Sequence, residues 1–361
     1  MSRGSRHEVK DEAVRRELLP GQSVELLREL HLVGRDGALH ADSLRKLKQV
    51  NHLVQLLEPA LRDTLQRHPD AVLVDAGAGN AYLGFVLYEL FLSKSAGVLY
   101  SVETRPDLVQ RAMERAQRLH YERMRFLRVP LAELSGPVSF GGVVRGGGAS
   151  LYSGGRAAAG APEATPTASD VASADPSKTI PERVHLVTAL HACDTATDDA
   201  ILLGLRRNAD HIAVVPCCQA EVAAQLKSAP HAASAPWPLL WQHPIHRREA
   251  GAHLTNVLRA LVLESQGYQV TVTELTGWEH SLKNELILAR RVHKESRPAL
   301  ARLHELLAAT KVRPKLVREL FPDAPPGELA AFPAASLAAS PADSPAASLG
   351  GAKKPEGAEG A

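Results

Sequence analysis

Cysteine is nearly absent: the 361 residues hold three, Cys193, Cys217 and Cys218. That number excludes a disulfide-stapled secreted scaffold, and thiols kept reduced suit a cytoplasmic chain. Aromatic residues make up 4%, so the core must come from aliphatic side chains and alanine. Long apolar runs are missing, and no stretch reaches membrane-spanning length. The opening MSRGSRHEVKDEAVRRELL carries charges where a secretory signal needs an apolar centre. The expectation is a soluble, cytoplasmic protein without membrane association. An excess of one charge is lacking too: 42 Lys and Arg face 40 Asp and Glu, for a formal net charge of +2. This excludes a strong global field for nucleic acid and leaves only local basic patches. The hydrophobic fraction of 45% supports one large domain with appendages or two modest ones.

The most informative stretch is residues 71–84, AVLVDAGAGNAYLG. Small and apolar residues lead to Asp75, and Gly77 and Gly79 alternate with small side chains before the helical run YLGFVLYELFL. The pattern predicts a buried strand, a tight turn and a helix whose N-terminus faces a ligand. Glycines there let backbone approach that ligand, and unpaired helix N–H groups favour negative charge. A dinucleotide fingerprint places a third glycine at the sixth position, where this chain has Tyr82.

Around this turn the chain alternates strands and helices. Residues 1–68 read as a helical segment in which Leu44, Leu47, Val50, Leu53, Val54, Leu57, Leu61 and Leu65 form one stripe, with Pro59 a point of division. Arg45, Lys46 and Lys48 lie early in it, on a polar face read as solvated or substrate-facing. Residues 69–134 and 181–292 carry the α/β core. GVLYSVET ends a second strand at Glu103, where such folds hold ribose hydroxyls. RMRFLRVP supplies a third strand, after which backbone or Glu133 would meet a base. Residues 135–180, rich in Gly, Ala, Ser and Pro, read as a long flexible insertion. Residues 293–321 read as a further helix and 322–361 as a disordered tail.

ALHACDTATD at 189–198 and AVVPCCQ at 213–219 resemble a methyltransferase-like family. It includes the eukaryotic tRNA 2′-O-methyltransferase of the acceptor stem. KLKQVNHLV at 46–54 and SLKNELILARR at 281–291 resemble its flanking segments. Asp75, Gly77 and Gly79 likewise resemble the first motif of class I S-adenosyl-L-methionine (AdoMet) methyltransferases. The resemblance implies a Rossmann-like, seven-stranded α/β sheet preceded by N-terminal helices, AdoMet as cofactor, and RNA, possibly tRNA, as acceptor. Asp75, Gly77, Gly79, Asn80 and Glu103 would hold the cofactor. His191, Asp194 and Lys283 are the catalytic candidates, beyond the fourth strand and before the seventh.

Blander and sharper readings stand beside these. His191 serves equally well as a structural hydrogen-bonding group, and Thr197 or Asp198 as a helix N-cap. Cys217 and Cys218 suit small pocket-shaping residues better than a covalent nucleophile. A zinc site built from His191, Cys193, Cys217 and Cys218 is conceivable, but adjacent cysteines rarely point both thiolates at one ion, and no metal is expected. Small-molecule or protein acceptors, and a non-catalytic AdoMet-binding scaffold, are the alternatives in function. No obligate protein partner is implied.

Overall fold

The computed structural model describes residues 14–34, 39–134, 179–190, 192–216, 219–228, 236–275 and 285–322. Nearly all of the expected insertion and tail lies outside these residues. Helix α1 (Val24–Glu29) is capped by the Ser23 hydroxyl, which accepts the Leu26 N–H. Helix α2 (Ala41–Arg67) buries Leu47, Val50, Leu53, Val54, Leu57 and Leu61, as the stripe predicts, yet runs unbroken through Pro59. Proline removes one rung of the ladder. Leu57 and Leu61, fully buried on either side, each gain roughly 2–3 kcal/mol from burial and hold the helix together across the gap.

The core follows in chain order. It comprises β1 (Val72–Ala76), α3 (Tyr82–Leu87) extended by a π-helical turn (Tyr88–Leu92), β2 (Val98–Val102), α4 (Pro106–Arg118), β3 (Met124–Leu127), α5 (Leu131–Leu134) and β4 (Leu186–Ala189). Next come α6 (Thr195–Arg206), β5 (His211–Val214), α7 (Glu221–Ser228), a 3₁₀ turn (Trp237–Trp241) and α8 (Pro244–Ser265). Strands β6 (Tyr268–Glu274) and β7 (Glu285–Arg291) and helices α9 (Arg297–Thr310) and α10 (Lys315–Leu320) complete it.

The strands form one seven-stranded sheet of order β3-β2-β1-β4-β5-β7-β6. Strands β1 to β5 pair in parallel, and β7 lies antiparallel between β5 and β6. This is the Rossmann-like sheet the resemblance implies. Strand alternation divides the core: Leu73, Leu99, Leu186 and Leu286 pack on the face covered by α1 to α4. Val74, Val102, Val187 and Ile287 pack on the other, with α6, α8, α9 and α10. Because β1 is followed by β2 on one side and flanked by β4 on the other, the order reverses at β1, and a crevice opens beyond the ends of β1 and β4. No helix among the described residues is long and apolar enough to cross a membrane.

Candidate functional site

The turn after β1 is built from left-handed backbone: φ is +66° at Gly77, +59° at Gly79 and +57° at Ala81. The Ala78 N–H donates to the Val102 carbonyl at 2.9 Å, tying the turn to the end of β2. A side chain at Gly77 would also come within 3.4 Å of Ala192 in the loop after β4, so glycine serves both conformation and close approach. Above the turn lies a cavity of about 360 Å³, within the range of small-molecule sites. Asp75, Gly77, Gly79, Asn80 and Leu190 line it, together with Arg105 and with Lys46, Gln49 and Val50 of α2. Three of the expected cofactor residues thus flank one pocket with Asp75.

Asp75 shares the sheet face of Leu73 and is 2% exposed. Its Oδ1 lies 3.4 Å from the Thr188 hydroxyl on β4, with which it is paired in register. Its Oδ2 lacks a hydrogen-bond partner among the described residues. Burial pushes the carboxyl up to about 7, against the pull of the Gly84 N–H and the Thr188 hydroxyl, and the nearby Glu103 charge adds to the rise. A lone acid in this position favours a cationic ligand group, whose charge would return the proton to solvent.

Glu103 follows β2 and is oriented by its neighbours. The Gly79 N–H donates to Oε2 at 2.8 Å. Oε1 accepts the Thr104 N–H at 2.9 Å and the Arg105 Nε–H at 3.1 Å. Burial alone would raise this carboxyl, but the Arg105 side chain and the backbone donors prevail and hold it at about 2. Arg105, not Glu103, lines the cavity. Glu133, the acid considered for the base, is exposed on α5 and lies outside the cavity lining.

Beyond β4, Asp194 has φ +51° and ψ −121°, a conformation that L side chains rarely adopt. It is held from two directions. Its Oδ1 accepts the Ala220 and Glu221 N–H groups at 2.9 and 3.3 Å, so one carboxylate oxygen ties the β4 loop to the start of α7. Its carbonyl accepts from Arg259 Nη2 at 2.8 Å. The same guanidinium pairs through Nε with Asp198 Oδ1 at 2.7 Å, the two side chains 2% and 3% exposed. Helix α6 starts at Thr195, earlier than the N-cap expected at Thr197 or Asp198. The Thr197 hydroxyl instead donates to the Ala192 carbonyl, and Asp198 is the partner of Arg259. That pairing joins residues far apart in sequence, and no local pattern announces it. His191, Lys283, Cys217 and Cys218 lie outside the described residues; Cys193 is exposed.

At the opposite edge of the sheet, His68, His185 and Asp210 come close enough to suggest a metal site. Their chemistry speaks for a hydrogen-bonded cluster. His185 Nδ1 accepts the Val72 N–H at 2.9 Å, which leaves its proton on Nε2. Asp210 Oδ1 already pairs with Arg183 at 3.0 Å and Arg67 at 3.5 Å. Nearby, His211 Nε2 meets Asp63 Oδ2 of α2 at 2.8 Å. These two line a second cavity of about 390 Å³, between α2 and β5, β6 and β7. It has none of the glycine turn's close backbone, so the functional site is assigned to the first.

The family model described as Methyltransferase domain matches residues 45–225, half of the chain. No curated protein matches significantly. Among solved structures, the chain is similar to an rRNA methylase from Streptococcus thermophilus, with 11% identity over 66% of this chain and 96% of that one, at a TM-score of 0.36. It is also similar to the S-adenosylhomocysteine-bound methyltransferase PaMTH1 of Podospora anserina, with 11% identity over 81% and 97% and a TM-score of 0.37. For TrmK of M. capricolum in complex with S-adenosylhomocysteine, the values are 9%, 77%, 72% and 0.31.

Proposed function

The chain belongs to the methyltransferase-domain family and is an AdoMet-dependent methyltransferase, and on that premise we propose that its acceptor is RNA, with tRNA the class implied by the sequence resemblance. The pocket fits the cofactor. The glycine turn admits close backbone approach, and the orphaned Asp75 Oδ2 suits the methionine ammonium. Glu103, already accepting three backbone N–H groups and two N–H groups of the Arg105 guanidinium, has the geometry to exchange Arg105 for ribose hydroxyls. When bound, AdoMet supplies an electrophilic methyl group for in-line displacement by the acceptor. The protein's part is to align that acceptor and exclude water. His191, which follows β4, is the proposed base for the acceptor's proton. Lys283, just before β7, is proposed beside the acceptor. Asp194, which holds the β4 loop against α7, is proposed to position that loop.

One observation carries the RNA reading. Tyr268, at the start of β6, hydrogen-bonds the Ala209 carbonyl below β5, so α8 descends toward that edge. Arg259 touches the loop at the opposite, ligand-bearing edge. From Arg259 back to Pro244 the helix is about 22 Å long, and its first turns therefore project past the ligand-bearing edge of the sheet. There Trp237, Leu239, Leu240 and Ile245 are exposed, Leu239 by 68%, beside Arg247 and Arg248. Apolar and aromatic platforms flanked by cations suit unstacked bases and phosphates. The test is transfer of radiolabelled methyl from AdoMet into RNA, protein and metabolite pools from cells lacking the gene, with Asp75→Ala as blank. Label in small RNA that the blank abolishes is the expected result. Label confined to protein or metabolites would discard the RNA acceptor.

A further inference from the structure

Three cations sit within four residues of α2, and they have different surroundings. Arg45 pairs with Asp42 at 3.1 Å and Lys48 with Glu17 at 3.5 Å. Lys46 has no ion-pair partner among the described residues, and it lines the cavity together with Gln49. The one other cation lining that cavity among the described residues, Arg105, is committed to Glu103 through Nε at 3.1 Å. Asp75 lines the same cavity and has a carboxylate oxygen without a hydrogen-bond partner among the described residues.

AdoMet ends in an amino acid, with an ammonium and a carboxylate on one carbon. Asp75 complements the ammonium, and Glu103 draws the ribose toward β2. The carboxylate then needs a cation other than Arg105, which is engaged by Glu103. We propose that Lys46, assisted by the Gln49 amide one helical turn on, binds the methyl donor's α-carboxylate and selects donors that carry one. This rests on AdoMet being the cofactor. It makes α2 part of the donor site and separates Lys46 from its solvated neighbours Arg45 and Lys48. A charge-assisted contact of this kind is short and directional. An ammonium whose three N–H donors meet no acceptor among the described residues is available to make it.

The experiment compares AdoMet with its decarboxylated analogue, which keeps sulfonium and ammonium and lacks only the carboxylate, by calorimetry on the full chain. Wild type should prefer AdoMet by about 10- to 100-fold. Lys46→Gln should weaken AdoMet by about that factor and leave the analogue within about twofold, collapsing the preference. Lys46→Arg should keep most of it, and Lys48→Gln should change neither ligand. An equal loss for both ligands would mean that Lys46 only shapes the cavity and would overturn the proposal. So would unchanged AdoMet affinity, including the case in which Lys46→Gln loses affinity for RNA instead. Wild type binding neither ligand would refute the cofactor itself, a different failure from a wild type that binds both ligands equally.

Discussion

Binding of the donor should expel a proton from Asp75. Burial holds this carboxyl up to about 7 in the free protein. The ligand ammonium that is proposed to dock on Oδ2 requires the ionised form. At pH 6 about 0.9 of the Asp75 side chains carry a proton, and at pH 8 about 0.1 do. Binding is therefore expected to release about 0.9 proton at pH 6 and about 0.1 at pH 8. Affinity should fall about tenfold between those two values and about tenfold again by pH 5. S-adenosylhomocysteine is the better probe, because its ammonium stays charged over this range. Calorimetry in two buffers of different ionisation enthalpy reads the proton count directly. Asp75→Asn should abolish both the release and the pH dependence. The reasoning also has a sign in stability. A raised folded-state value means a contribution present below the ordinary aspartate value of 3.8 and lost as pH rises through about 7. That loss is roughly 4 kcal/mol. Asp75→Asn should thus raise the melting temperature of the ligand-free protein at pH 8 while weakening the ligand. No proton release by wild type at pH 6 would refute the account.

Other expectations follow from single contacts. Arg259→Leu should cost about 3–5 kcal/mol by leaving Asp198 buried and unpaired, and adding Asp198→Leu should restore more than half of it; a double variant no more stable than the single one, by denaturant titration, would argue against the pair. Gly84→Ala places a methyl group 3.0 Å from Asp75 Oδ2 and 3.3 Å from Leu99. It should weaken AdoMet about tenfold, with the clash offset in stability by a helix-propensity gain of up to about 1 kcal/mol; unchanged affinity would show that the carboxylate tolerates displacement. Burial holds His211 below its ordinary 6.5 despite the pull of Asp63, so its contribution to stability is present above pH 6.5 and is lost as pH falls through the depressed value. His211→Gln should flatten the decline in denaturation midpoint on acidification from pH 7 to 5. Leu239→Asp with Ile245→Asp should reduce RNA binding in a filter assay and leave AdoMet affinity as it was.

The parts of this fold that local pattern controls were legible in the sequence. Strand β1, its glycine turn and the strand ending at Glu103 announce themselves through apolar runs, glycine spacing and an acid at each strand end. The leucine stripe of α2 did so too. The parts decided by distant contacts were not. Pro59 suggests a break, and only the burial of Leu57 and Leu61 against the rest of the core explains why the helix continues. Asp194 looks like a reactive group by position, whereas its Oδ1 is engaged by α7, a helix after the next strand. Asp198 reads as an N-cap until Arg259 is brought beside it from α8. Nothing local distinguishes Lys46 from Lys48. Their difference arises from Glu17, which the fold places against one and not the other.

The unbroken passage of α2 through Pro59 makes the helix a lever. Its upper arm ends at Lys46 in the lining of the glycine-turn cavity, its lower arm at the Asp63 contact to His211, and Pro59 removes one rung of the ladder between them. The upper arm measures about 20 Å, so a tilt of about 5° at that fulcrum moves Lys46 by about 1.7 Å. A displacement of that size is more than half a hydrogen-bond length. On the proposed role of Lys46, a shift of α2 at the histidine–aspartate contact on the far edge of the sheet would reach the donor through this one helix.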